Sequence, residues 1–355
     1  MNHDLAQILG GSLWLMEPKA FRAMVKRAAS VTAEAIQAAQ AALLAYAERP
    51  PSLNMMGDVA VIHMSGPITY RPSWFSMIFG GATIESMQTQ FRMALRDESV
   101  KTIAFRCDSP GGEVLMVPEF ADEIFAARGQ KPIIAVADTD VCSAALWIAA
   151  QADQLHVSAS SYVGSVGCYL EHDDLSGMLE QEGVKITLIH YGKHKVDGNI
   201  YEPLSDEVKA SLQEQVDAVG IEFDTAMARG RGVTRKVVSE QFGQGKVFRG
   251  KKAIEAGLAD KMGTFGQVMG KLTKGRTAVG ARADAPVAPI VASAEPMTTE
   301  AQASAEPVEV PVAPVPVAAA SSEEPTPAAV DPVVADAQAA ADRDHLAIAA
   351  ALSAD

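Results

Sequence analysis

From Asp58 to about residue 190 the chain alternates two textures. Short apolar, β-rich runs, "VAVIHM" (59–64), "KTIAFRC" (101–107), "PIIAVAD" (132–138), "QLHVSA" (154–159) and "KITLIH" (185–190), predict strands. Between them lie helical stretches at roughly 83–97, 117–128, 143–152 and 172–183. Apolar strands alternating with helices predict an α/β fold with a mostly parallel sheet covered on both faces. Upstream, residues 18–47 carry Pro18 at a first helical turn, strong helix formers and no internal glycine, which predicts a helix or helix pair closed by Pro50 and Pro51. Downstream, a long helical segment at about 205–229 precedes two short helices joined by a Gly-punctuated turn and strand. The expected organisation is an N-terminal helical segment at 1–54, a body at 55–275 and a tail at 276–355.

Composition sharpens that division. Of 355 residues, 48% are hydrophobic, ample for a large core. The net charge of -14 is uneven, since twelve acids against one basic residue follow Arg282, and the body is nearly balanced. Basic residues are dispersed, so no nucleic-acid groove is expected. The tail has no aromatic residue, and ten of the nineteen prolines fall beyond residue 285. Such a segment buries too little apolar surface to offset its ordering entropy, so disorder is expected there. Only "VADAQAAADRDHLAIAAALSA" at its end could form a helix. A flexible stretch of about 60 residues reaches about 40 Å end to end, far enough to meet a neighbouring subunit or another partner. Three cysteines, Cys107, Cys142 and Cys168, fit free thiols in a reducing compartment better than a disulfide framework or zinc site. The first sixteen residues lack a basic leader and a bilayer-length apolar run, so neither signal peptide nor anchor is expected, and no membrane partner.

Three stretches hold candidate chemistry. In "DSPGGEV" (108–114), Gly111 and Gly112 follow a strand, and without a Cβ their amides can converge on one small volume. That suits an oxyanion, and equally an ordinary tight turn. In "DTDVCSAALWIAAQAD" (138–153), Ser143 opens a buried helix, a position that suits a nucleophile and equally an N-cap, while Cys142 can be a small buried hydrophobe. A serine needs a base. His3 and His345 lie in the termini and His63 and His156 in strand patterns, leaving His172, His190 and His194 for an unmarked Ser-His-Asp triad. The other option is a lysine kept neutral by desolvation and nearby positive charge. "HYGKHKVDG" (190–198) offers Lys193 and Lys195, which are otherwise solvated surface charges.

Taken together, "DSPGGEV", "VCSAALWIAAQAD" followed by "VGSVGCYL", "GKHKVDGNIYEPLSDE" and "GKVFRGKKAIEAGLADKMG" resemble the S49, signal peptide peptidase A-like, serine peptidases over roughly residues 55–270. The Ala/Pro/Glu-rich tail resembles the phage capsid-assembly (prohead) protease branch related to the lambda C protein. The resemblance implies a ClpP/crotonase-like fold and a serine peptidase that cleaves scaffold and capsid proteins through an acyl-enzyme, without metal or cofactor. It implies Ser143 as nucleophile, Lys195 as general base and Ser165 as the residue orienting the lysine amine. The oxyanion hole would be Gly111 or Gly112 with the N–H of Ala144. The family usually has Ser-Gly-Gly where this chain has Ser143-Ala144-Ala145. A ring-like homo-oligomer is implied; the N-terminal helix and "PSWFSMIFGGATI" (72–84), with its apolar cluster Trp74, Phe75, Ile78 and Phe79, are candidate contact surfaces or else lining of the substrate groove or the core. The implied setting is the host cytoplasm, inside the prohead, with coat or portal protein as a further partner of the tail. Alternatives are a Clp-like peptidase using His172, a crotonase-like acyl-CoA enzyme, and a protein that mainly scaffolds coat protein.

Overall fold

The structure is a computed structural model that describes residues 13–28, 31–47 and 51–273. In chain order its strands are β1 (Leu13–Met16), β2 (Asn54–Met56), β3 (Val59–Ser65), β4 (Ile68–Thr69), β5 (Ala82–Thr83), β6 (Thr102–Ser109), β7 (Gly111–Glu113), β8 (Ile133–Cys142), β9 (Gln154–Val157), β10 (Tyr162–Gly164), β11 (Tyr169–Leu170), β12 (Val247–Arg249) and β13 (Lys261–Met262). The helices are α1 (Pro18–Ala28), α2 (Ala33–Ala47), α3 (Trp74–Phe79), α4 (Ile84–Arg96), α5 (Val117–Ala126), α6 (Ala144–Ala149), α7 (Ser176–Gln181), α8 (Asp206–Arg231), α9 (Arg235–Gln241), α10 (Lys251–Glu255) and α11 (Phe265–Leu272).

The main sheet runs β12-β10-β8-β6-β3-β2, with β9 beside the first half of β8 and β13 beside β9. At its centre β3, β6 and β8 are parallel, with Val59 opposite Thr102 and Ile103 opposite Ile133. Their first halves are buried without a break, Val59–Ile62, Thr102–Phe105 and Ile133–Ala137, because both faces are covered and no position is free to be polar. On one face Phe91 of α4 and Phe120 of α5 meet Phe105 at ring separations of 6.0 and 6.1 Å. On the other, Val268 and Met269 of α11 cover Val59, Val61, Ala104, Ile134 and Val136. Each such large side chain contributes about 1.5–3 kcal/mol by leaving water. The edges are antiparallel, β2 on β3 and β12 on β10, so the fold is α/β with a mixed sheet.

Midway along β8 the neighbour changes. Ile134–Ala137 pair with β9, whereas Asp140–Cys142 pair with β10. The sheet therefore splits at its carboxyl end, and α6 starts inside the split. α6 is buried throughout, and Trp147 stacks on Phe223 of α8 at 4.5 Å and 11°. Arg128 closes the far end of α6 by donating to the carbonyls of Ala150, Gln151 and Ala152 and of Gly230.

A second sheet, ordered β11-β1-β7-β4-β5, lies over this end. The 18–47 region is a helix pair, and the 72–84 insertion folds as α3 and β5. Ser73 and Ser76 form the capping box that starts α3. Met77 and Ile78 bury against Ala39, with Trp74, Phe79, Leu43 and Tyr46 around them, so the insertion lines a local core with the helix pair.

Two expectations change. The run "KITLIH" is not a strand, because it pairs with no sheet edge among the described residues; Ile186, Leu188 and Ile189 are left exposed. The helix expected at 172–183 shortens to α7. The expected tail at 276–355 and its terminal helix lie outside the described residues.

Candidate active site

Ser143 is the residue where the split in the sheet becomes a helix. Its backbone is left-handed (φ 55, ψ -121), an unusual conformation for a residue with a side chain. Two bonds hold it there: its N–H donates to the Gly164 carbonyl at 2.9 Å, and its carbonyl accepts from Trp147 N–H at 2.9 Å. Its hydroxyl does not cap the helix, so the N-cap reading fails. The Oγ instead lies 3.4 Å from the Gly167 carbonyl, and the residue is 1% exposed. Strain of this kind costs on the order of 1–3 kcal/mol and is kept only where the surroundings enforce it. Cys142, beside it, is a poor nucleophile: burial, with Asp140 and Glu17 nearby, pushes its thiol up to about 12.

Ser165 sits close behind. It too is left-handed (φ 56), is buried, and donates its N–H to the Lys246 carbonyl at 2.8 Å. Because the preceding carbonyl, that of Gly164, accepts from Ser143, the two serine turns are tied back to back. Ala144 and Ala145 are fully buried in the first turn of α6, where helical backbone suits alanine as well as glycine, so their departure from Ser-Gly-Gly leaves the turn intact.

The glycine turn packs against the same spot. At Gly111 (φ 101) a methyl group would collide with the Leu15 carbonyl and stand 2.9 Å from Ser143 Cβ and 3.0 Å from the Cys142 carbonyl. At Gly112 it would collide with the backbone of Ile68. Only glycine fits either position. Ser109, which sequence reading passed over, sets this turn: fully buried, its Oγ donates to the Gly66 carbonyl at 2.6 Å and accepts from Gly111 N–H at 3.2 Å. A single polar residue before Pro110 gave no signal of that role.

Acids border the turn. Desolvation, then Asp108 and Glu17, raise the Asp140 carboxyl above its ordinary range. Desolvation also raises Glu113, which accepts from Tyr70 N–H at 3.2 Å. Thr139 donates to Asp108 across the strand ends.

Thus Ser143, Ser165, Gly111 and Ala144 come together, with Gly112 next along the turn. Lys195 does not join them. It is exposed on the loop that follows the unpaired 184–190 run and has no side-chain hydrogen bond or ion pair among the described residues. Lys193 is held outward by Glu207 at 2.8 Å. The His172 ring is engaged by the Asn199 carbonyl at 2.9 Å and makes no hydrogen bond to Ser143. No group of three or more His, Cys, Asp or Glu among the described residues could hold a metal ion, and no helix there is long and apolar enough to cross a membrane. What is assembled is a buried hydroxyl on a strained turn, beside a backbone-lined glycine strand, with one rail of extended chain on either side.

Residues 126–279 match the model of peptidase family S49. The head-tail preconnector protein GP5 of Enterobacteria phage P21 is 33% identical over 220 residues, 62% of this chain and 44% of that protein. The capsid assembly protease C of Escherichia phage lambda is 34% identical over 211 residues, 59% and 48% of the two chains. The chain thus spans about half the length of these relatives. A point mutant of ClpP1 from Listeria monocytogenes overlaps 57% of this chain and 91% of its own at 11% identity, with a TM-score of 0.36.

Proposed function

With the chain belonging to peptidase family S49 through residues 126–279 and related to phage capsid-assembly proteins, we propose that it is a serine endopeptidase that cleaves scaffold and capsid proteins as a phage head matures. The observation that carries this reading is the left-handed, uncapped Ser143 wedged against Gly111. Ser143 Oγ attacks a peptide carbonyl, and its proton passes to the Lys195 amine, which Ser165 orients. An amide of the Gly111–Gly112 turn, with that of Ala144, holds the oxyanion; Lys195 passes the proton to the substrate's leaving amine, and water then releases the acyl-enzyme. The ClpP/crotonase-like description of the fold belongs to the same proposal.

Lys195 must leave water to act, because an amine with an ordinary pKa near 10.4 is protonated at neutral pH. The loop that carries it follows Ile189 and includes Tyr191, which are 97% and 100% exposed. Burying that apolar run against a second copy of the chain, inside a homo-oligomer, dries the lysine and completes the dyad. The expected setting is the prohead within the host cytoplasm, with protein substrates and no cofactor.

The test is fluorophosphonate labelling and peptide hydrolysis with the purified chain, Ser143→Ala and Lys195→Ala. Both substitutions are expected to abolish hydrolysis, and Ser143→Ala to abolish labelling. Hydrolysis retained in both would refute the dyad.

A further inference from the structure

The second sheet contains a slot one strand wide. β7 and β11 do not pair with each other; both pair with β1, which lies antiparallel between them. Each rail of this slot starts at the nucleophile. Gly111, the first residue of β7, packs against Ser143, and Gly167, whose carbonyl faces Ser143 Oγ, lies two residues before β11. An extended peptide laid between the rails would be hydrogen-bonded on both edges and would pass directly over the serine.

That place is taken. Trp14 stands opposite Glu113 and Tyr169, Leu15 opposite Gly112 and Met16 opposite Gly111, and Glu17 N–H donates to the Pro110 carbonyl at 2.9 Å. The Leu15 carbonyl is packed against Gly111, on the side where Ser143 stands. Leu15 points into the main core and Met16 into the cluster of Phe21, Met24 and Ala28, and both are buried. Successive residues thus sit in opposite pockets, as in any gripped strand.

We propose that the β7–β11 slot is the acceptor for an extended peptide with a bulky aliphatic residue opposite Gly112, and that residues 13–17 are its resident occupant. The chain holds its own nucleophile covered by an internal strand, and a substrate strand enters only when β1 leaves. The proposal rests on the peptidase reading for its catalytic consequence, and on geometry alone for the occupancy. A cleft open for a fraction f of the time binds its ligand more weakly by that same fraction.

The experiment compares the full chain with Leu15→Asp, which puts a carboxylate into the apolar pocket, and with deletion of residues 1–17. The milder Leu15→Ala serves should either of these fail to fold. A fluorescein-labelled synthetic peptide of residues 11–18 is titrated into each in a Ser143→Ala background, where no cleavage occurs, beside a scrambled peptide. The variants are expected to bind the native-order peptide at least about tenfold more tightly than the full chain does, and not the scrambled one. With Ser143 restored, they should hydrolyse a peptide substrate about tenfold faster, and added free peptide should inhibit them. Equal binding by full chain and variants, or equal affinity for the scrambled peptide, overturns the proposal. Peptide binding by the variants with no hydrolysis by any form keeps the internal strand and overturns the peptidase reading instead.

Discussion

The two halves of the proposed dyad sit in unlike surroundings. Ser143 is enclosed by core residues, fixed by bonds to Gly164 and Trp147 and held in a conformation it would not adopt by itself. Lys195 rides on an exposed loop after a run of bare apolar residues. One half is set by the chain's own packing. The other is exposed in a single copy, so in the proposed dyad a second surface would have to arrange it.

The sharpest test of this contrast is Ser143→Ala. Removing the nucleophile of a serine hydrolase lowers kcat by up to about 10⁶-fold. Relief of the left-handed strain is limited because alanine keeps a Cβ, so the melting temperature should stay within a few degrees; a large drop would mean that the hydroxyl is structural. Next in size, Trp147→Ala removes the stack on Phe223 under the serine turn and should cost about 3–5 kcal/mol in denaturant unfolding. The equivalent change on the other half, Tyr191→Ala, should leave the unfolding of a dilute sample within about 0.5 kcal/mol while reducing self-association in sedimentation and peptide hydrolysis together. Unaltered hydrolysis there would show that the loop acts without a second copy.

The smallest effect concerns Asp140. Its carboxyl is raised by desolvation and by Asp108 and Glu17, so the folded state disfavours the ionised form. That disadvantage is absent below the unfolded carboxyl's value near 3.9 and grows as pH rises through the raised folded value. Asp140→Asn should therefore raise the melting temperature at pH 7 by about a degree or two and leave it unchanged near pH 3. A gain of the same size at both pH values would point to packing rather than ionisation.

Much of the first half was legible in the sequence. Continuous apolar runs gave β3, β6 and β8, since strands buried on both faces leave an unmistakable pattern, and the Pro-Gly-Gly turn and Ser143 fell at strand ends where backbone is free to converge. The second half was misread for a physical reason. "KITLIH" has strand composition, yet a strand needs an edge to pair with, and composition is silent about edges. Residues 13–16 were passed over for the opposite reason: so short a run cannot show alternation, and only the slot between β7 and β11 makes it a strand. Ser109 and the Lys246 carbonyl act through bonds to backbone that no spacing rule records.

The carbonyl of Lys246 has one more consequence. It accepts from Ser165, whose turn is tied to that of Ser143, so a serine in the middle of the chain is braced by a residue that comes much later in it. As a ribosome delivers the chain, the turn stays unbraced until that late segment has emerged and docked. An incomplete chain therefore lacks the bond that fixes the Ser165 turn behind Ser143.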